Sequence, residues 1–222
     1  MSTPSTDAPL SGRRAQAARN DAVILDAARE VFMAAPDAPV SAVAHAAGVG
    51  ISALYRRYAS KEELLATLCL DGLRRFVEIA RAARDTADPW GAFEALLRGV
   101  VDADVHSLTV HLAGRFAPTP EHGALAEEAG RLAGEILRRA QDARAVRSDV
   151  VDTDLPMVYE QLAAIRLGGP ARDAALRRRY LELHLASLRA DAEAHGALPG
   201  HGPSQAELGA RWQREAGTGA AR

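Results

Sequence analysis

Between Asn20 and Arg84 the apolar positions recur at helical spacing in successive runs separated by short breaks. In the first, Ile24, Ala27, Ala28, Val31 and Phe32 share one face, which predicts an amphipathic helix over 20–32. Val43, Ala44 and Ala47 predict a second helix of about two turns, with Ser41 placed to cap it by accepting from an otherwise unpaired amide. Gly48 stands where a helix ends in a left-handed residue, Val49 plugs the corner, and Gly50 lets the chain enter the next helix steeply. In that third run Ile51, Leu54 and Tyr58 fall on one face and leave Ser52, Tyr55 and Arg56 on the wetter side. Ser60 and Glu63 form a capping box that opens a long helix reaching about Arg84, with Leu64, Leu65, Leu68, Phe76 and Ile79 inward. Two short helices around a glycine turn, followed by a capped helix, have the layout of a helix-turn-helix, which predicts duplex DNA as the partner.

The remaining chain repeats the helical pattern with no strand-like alternation of useful length, so the fold class is all-α. Asp88-Pro89-Trp90 starts a helix with proline at the first helical position, and Phe93, Leu96, Leu97, Val100 and Val101 carry its apolar face. After the break at Ala117-Pro118-Thr119-Pro120, helices are expected from Glu121 to about Val146, from Asp154 to Leu167 and from Ala171 to Ala190. The last of these has two apolar stripes, Leu176, Tyr180 and Leu183 on one side and Leu181, Leu185 and Leu188 on another. Two stripes predict two neighbours, one in the domain core and one on a partner chain.

The segment NDAVILDAAREVF from Asn20 to Phe32, followed by SAVAHAAGVG, ISALYRRY and SKEELL, resembles the N-terminal DNA-binding domain of the TetR family of bacterial transcriptional regulators. The likeness spans roughly residues 19–68 and rests most on Ala47-Gly48-Val49, on the run from Leu54 to Tyr58 and on Ser60-Lys61-Glu62. Pro36, near where the family often has glycine, and Tyr58, where phenylalanine is more usual, depart from its pattern. The resemblance implies a cytoplasmic homodimeric repressor, made of an N-terminal three-helix helix-turn-helix domain and a larger helical ligand-binding and dimerisation domain. Its partners would be a palindromic double-stranded DNA operator, a second copy of itself and an unknown small-molecule effector. It implies DNA contacts at Arg19, Ser41, Gly50, Ile51, Ser52, Tyr55, Arg56 and Lys61, with Ser52 and Arg56 near base edges and Tyr55, Ser41 and Lys61 on phosphates. Lys61 begins a helix, where a positive charge opposes the dipole, and a phosphate would explain it. A four-helix dimer interface is implied for the last two helices, with Leu162, Ile165, Leu181, Leu185 and Leu188 expected there. Trp90, Phe93, His106, His111, Arg115, Phe116, Tyr159 and Gln161 are expected either to line a mainly apolar effector pocket with a few polar anchors or to be ordinary core packing.

The domain expectation is an unordered tail over 1–18, a DNA-binding domain over 19–60, an effector and dimerisation domain over 61–195 and a C-terminal tail over 196–222. Arg13 and Arg14 in the first tail are either solvated or a basic arm for the minor groove. The rival expectation is a helical small-molecule-binding or dimerisation module without specific DNA binding.

Composition narrows the choice. With 222 residues and 48% apolar content the chain can bury a sizeable core, which excludes a single tiny domain. Net charge is -2, yet seven bases face four acids between Ser11 and Lys61, a local excess of +3 at the end expected to meet phosphate. No apolar run approaches the roughly 18 residues of a membrane helix, and the N-terminus lacks the apolar core of a secretory signal, so no membrane partner is expected. The single cysteine, Cys69, excludes an internal disulfide framework and reads as a small buried hydrophobe.

Other chemistries find little support. Gly48 to Ala53 fits GxGxxA, but that fingerprint needs a preceding strand and here follows an alanine-rich helix, so no cofactor is expected. Asp102, Asp104, His106 and His111 could suggest a metal site, but His106 and His111 are five apart and point to different faces if the helix continues, and no metal is expected. No GxSxG elbow or Glu-x-x-His occurs, and an enzyme is not expected.

Overall fold

The computed structural model describes residues 8–106, 114–191 and 196–210, with side chains from Asp21 onward. The fold is all-α; among the described residues the only β feature is an isolated antiparallel bridge between Val146 and Arg189. Two compact units divide the chain, residues 1–64 and 65–222.

The first unit contains α1 (Ala8–Ala34), α2 (Val40–Ala46), α3 (Ile51–Arg57) and the start of α4 (Lys61–Arg84). The first helix reaches back to Ala8, into the stretch where an unordered tail was expected. Alanine, arginine and glutamine dominate residues 13–19, and such residues extend a helix without an apolar face to direct them. Ile24, Ala27, Ala28 and Phe32 of α1 are buried in the same unit as Val40, Val43, Ala44, Leu54, Tyr58 and Leu64.

In the second unit, α4 continues and is followed by α5 (Pro89–Asp102), α6 (Pro120–Asp142), α7 (Asp154–Ala163), α8 (Pro170–Leu188) and the short α9 (Gln205–Gly209). Pro89 opens α5 as expected, and Asp88 caps it, its carboxylate accepting from the Gly91 amide at 2.7 Å. The core joins Phe93, Leu96, Leu97 and Val100 of α5 to Leu132, Ile136 and Leu137 of α6, and to Leu155, Tyr159 and Leu162 of α7.

Leu181, Leu185 and Leu188 belong to that same core, which corrects their expected place on a partner chain; Leu162 is buried with them and Ile165 packs against the cluster. The reason is the rotation of α8 about its axis. At its end the Arg147 amide donates to the Leu188 carbonyl at 3.0 Å and the Ala190 amide to the Ala145 carbonyl at 3.2 Å. Of the other stripe Leu176 is buried as well, while Tyr180 and Leu183 point outward, 43% and 62% exposed.

The described C-terminal residues are tied to the same unit. Buried Arg147 donates to both oxygens of Asp149, at 2.5 and 2.7 Å, and to the Gly196 carbonyl at 2.9 Å. The Leu198 amide donates to Asp149 Oδ2 at 2.8 Å. The Arg147 guanidinium, together with that amide, holds the Asp149 carboxyl well below the usual range, at about 2.

Candidate nucleic-acid interface and apolar cavity

In the first unit the turn between α2 and α3 forms as its glycine dictates. Gly48 takes φ +65, its amide donates to the His45 carbonyl at 3.1 Å, and the Val49 amide reaches back to Ala44 at 3.0 Å. These paired bonds are the Schellman closure of a helix, and a side chain at this φ would be strained. Gly50 differs from expectation: it is extended at φ -66 and ψ 139, a conformation open to any residue. Ser41 also differs, because α2 starts one residue earlier at Val40 with Pro39 in the capping position. Val40 is buried, and fixing it in the core draws the helix start ahead of Ser41, which lies exposed in the first turn.

The outer side of α3 presents Ser52, Tyr55 and Arg56 to solvent, with Tyr55 50% exposed. Ile51 joins them at 40% exposed instead of packing inward with Leu54 and Tyr58, since it opens a seven-residue helix and only the later turns meet the core. The neighbouring arginines part company. Arg57 makes a two-pronged pair with Asp21 of α1, both contacts at 2.6 Å, which locks α3 onto α1 and raises the arginine above its ordinary value. Arg56 has no protein partner among the described residues, so its charge is available to a ligand.

Lys61 is placed differently from the expected phosphate contact. Its ammonium donates to the carbonyls of Ala38 at 2.9 Å and Pro36 at 3.3 Å, and lies 5.2 Å from the centroid of the Phe32 ring. The cation at the start of α4 is thus compensated by the loop that ends α1, within the protein. Ser60 caps α4 by accepting from the Glu63 amide at 3.1 Å, while the Glu63 carboxylate accepts from the Ala59 amide at 2.7 Å. The side chains of Arg13, Arg14 and Arg19 lie outside the described residues.

Within the second unit a cavity of about 400 Å³ is lined by Cys69, Gly72, Leu73 and Phe76 of α4, by the small residues Gly123, Ala126, Ala129, Gly130 and Ala133 of α6, and by Leu155, Pro156 and Tyr159 of α7. The small residues lie about one turn apart on α6 and leave the volume that larger side chains would fill. Of the expected lining, His106 and Tyr159 are there. Phe93 is in the solid core, Trp90 carries Arg189 at 4.0 Å over its ring, and Gln161 is exposed. Phe116 packs on His122, ring centroids 5.2 Å apart, and Arg115 is half-buried beside it in sequence; neither lines the cavity. His111 lies outside the described residues.

Sequence reasoning missed His122. Its Nδ1 accepts from the Thr119 amide at 3.1 Å, which leaves Nε2 to donate to the Ala66 carbonyl at 3.0 Å. A Thr-Pro-x-His spacing at a helix start was the available signal.

The acids once weighed as metal ligands are in ion pairs, Asp102 with Arg178 at 2.7 Å and Asp104 with Arg177 at 2.8 Å. Among the described residues no group of three or more His, Cys, Asp or Glu is placed to hold a metal ion, and no helix is long and apolar enough to cross a membrane. Burial pushes the Cys69 thiol up to about 12. At pH 8 it is therefore expected to react with a disulfide reagent at least about a hundredfold more slowly than the unfolded chain, because the thiolate is the nucleophile; equal rates in native buffer and in guanidinium would contradict this.

Residues 24–68 match the family model of bacterial regulatory proteins of the tetR family. The chain is 33% identical over 149 residues to the HTH-type transcriptional repressor LfrR of Mycolicibacterium smegmatis, covering 65% of this chain and 74% of that protein. The chain belongs to the TetR family. Two solved structures share the fold of this TetR-family regulator. A TetR transcription regulatory protein from Mycobacterium vanbaalenii is 26% identical with a TM-score of 0.56, covering 79% of this chain and 98% of that one. A TetR transcriptional regulator from Streptomyces coelicolor is 23% identical with a TM-score of 0.56, covering 76% and 98%. Membership makes this chain a DNA-binding transcriptional regulator whose α2 and α3 are the helix-turn-helix.

Proposed function

We propose that this TetR-family regulator is a cytoplasmic homodimeric repressor, released from a palindromic operator when a small molecule fills the cavity of its second unit. The observation that carries the DNA reading is α3: its exposed Ser52, Tyr55 and Arg56 stand on a helix fixed from behind by buried Leu54 and by the Arg57–Asp21 pair. In this reading Ser52 and Arg56 meet base edges, while Tyr55 and Ser41 hold phosphates. The outward face of α8, with Tyr180 and Leu183, supports a second copy of the chain as its partner, and Leu167 before it is 81% exposed. For induction the relevant helix is α4, which begins in the first unit at Lys61 and supplies Cys69, Gly72, Leu73 and Phe76 to the cavity. A ligand that favours one position of α4 would shift the spacing of the two recognition helices in the dimer.

Selection of bound sequences from genomic fragments with the purified protein tests this reading. The recovered motif is expected to show dyad symmetry with half-sites ~34–36 Å apart. Arg56→Ala should then relax preference at particular positions, by about 1–3 kcal/mol if the contact is two-pronged. A motif with one half-site bound by a monomer would exclude the symmetric dimer, and an Arg56→Ala loss spread evenly over all base substitutions would assign that side chain to phosphate.

A further inference from the structure

Part of the cavity wall comes from the far end of the chain. Gln205 and Leu208 of α9 line the cavity together with residues of α4, α6 and α7. A five-residue helix cannot hold itself in water, even with its capping box, in which Ser204 accepts from the Glu207 amide at 3.2 Å. Its position depends on what anchors the segment before it. One anchor is the Arg147–Asp149 pair, which binds the Gly196 carbonyl and the Leu198 amide.

Gly202 is the other anchor. A Cβ added there would stand 2.5 Å from Val151 Cγ2 and 2.7 Å from Asp154 Oδ1. Neither neighbour yields easily, since valine is branched at Cβ and the Asp154 carboxylate accepts from the Val151 amide at 2.9 Å. Only glycine lets the segment lie this close.

The chemistry of the wall limits what it can enclose. Among the described residues no lysine or arginine lines the cavity; Arg131 and Arg138 stand around an adjoining depression that shares Ala126, Gly130, Asp152 and Gln205 with it. The ring nitrogens of His122 are committed to Thr119 and Ala66, and the other lining histidine, His106, faces the Glu160 carboxylate at 4.0 Å. The one carboxylate of the lining is Asp152, exposed at the edge. An anion seated among these lining residues would leave water with no lysine or arginine of the lining to pair it, and would have passed a like charge at the edge.

We propose that the cavity takes an uncharged, largely apolar ligand, and that the segment from Gly196 to Ala210 is its outer wall, with Leu208 and Gln205 touching the ligand. This rests on the reading of the cavity as the effector site.

The probes are N-phenyl-1-naphthylamine, which is uncharged, and 8-anilinonaphthalene-1-sulfonate, which places a sulfonate on the same skeleton. In fluorescence titrations of the full chain the uncharged probe is expected to saturate a single site, with the sulfonate at least about tenfold weaker. Gly130→Trp, at a lining position where an added Cβ meets nothing within 4 Å, should abolish that binding while helical circular dichroism is retained. Gly202→Leu is expected to speed release of the uncharged probe in stopped flow by roughly tenfold, since loss of a wall acts on dissociation. Leu208→Ala, which leaves both anchors in place, should weaken binding several-fold.

Equal or tighter binding of the sulfonate would overturn the uncharged ligand. Unchanged release from Gly202→Leu together with unchanged affinity of Leu208→Ala would overturn the wall. Absence of binding, or binding that survives Gly130→Trp, would remove the effector-site reading and this proposal with it.

Discussion

Leu181→Glu is expected to unfold the second unit, whereas Leu183→Glu, two residues along α8, should leave it folded and monomeric. Leu181 is 1% exposed in the core beside α5, and Leu183 is 62% exposed. A carboxylate in the first position loses both packing and solvation, a cost of at least about 3 kcal/mol against a typical total of about 5–15. The second position is solvated in the single chain, so thermal melting of the monomer should move little. In the proposed dimer, however, the same carboxylate would be buried opposite its copy, and sedimentation should show half the mass. Operator affinity should then fall by about 10²–10⁴, because two half-site contacts no longer act as one. A Leu183→Glu protein that remains dimeric and binds DNA normally would remove this face of α8 from the interface.

Lys61→Met is expected to weaken the first unit and not merely its hold on phosphate. The ammonium donates to the carbonyls of Pro36 and Ala38 and faces the Phe32 ring. Removing it leaves the loop after α1 without its donor, a loss of about 1–3 kcal/mol for a half-buried site. Urea unfolding followed by a probe in the first unit would read this directly. DNA binding should fall in proportion to the unfolded fraction, with the dependence of affinity on salt preserved, whereas loss of a phosphate contact lowers that slope by about 1. Unchanged stability with a reduced slope would return Lys61 to the DNA.

Lys61 shows where sequence reasoning stops. Its oddity was visible locally, since a lone lysine at a helix start opposes the dipole. That its compensation comes from carbonyls 23 and 25 residues earlier was not visible, because it depends on where the α1 loop passes. Ile51 makes the same point on a smaller scale: spacing assigned it to a face, and only the extent of the core decided that α3 buries Leu54 and Tyr58 but not its first residue.

The sequence by itself determined the helical class, the α2-turn-α3 unit, the capped start of α4 and the break before α5. Each depends on residues within about one turn of one another: glycine at positive φ, a hydroxyl within reach of an amide, proline at a first helical position. It also marked α8 as a helix with two apolar stripes. That Leu176, Leu181, Leu185 and Leu188 turn inward while Tyr180 and Leu183 turn outward is a matter of how α8 is seated, with its end tied to residues 145–147. The cavity belongs entirely to tertiary structure, since its volume comes from glycines and alanines on α6, residues with no chemistry to notice, and part of its wall comes from α9. A helix face can be read from spacing within one element, but an empty space is defined by several elements at once, and no single periodicity encodes it.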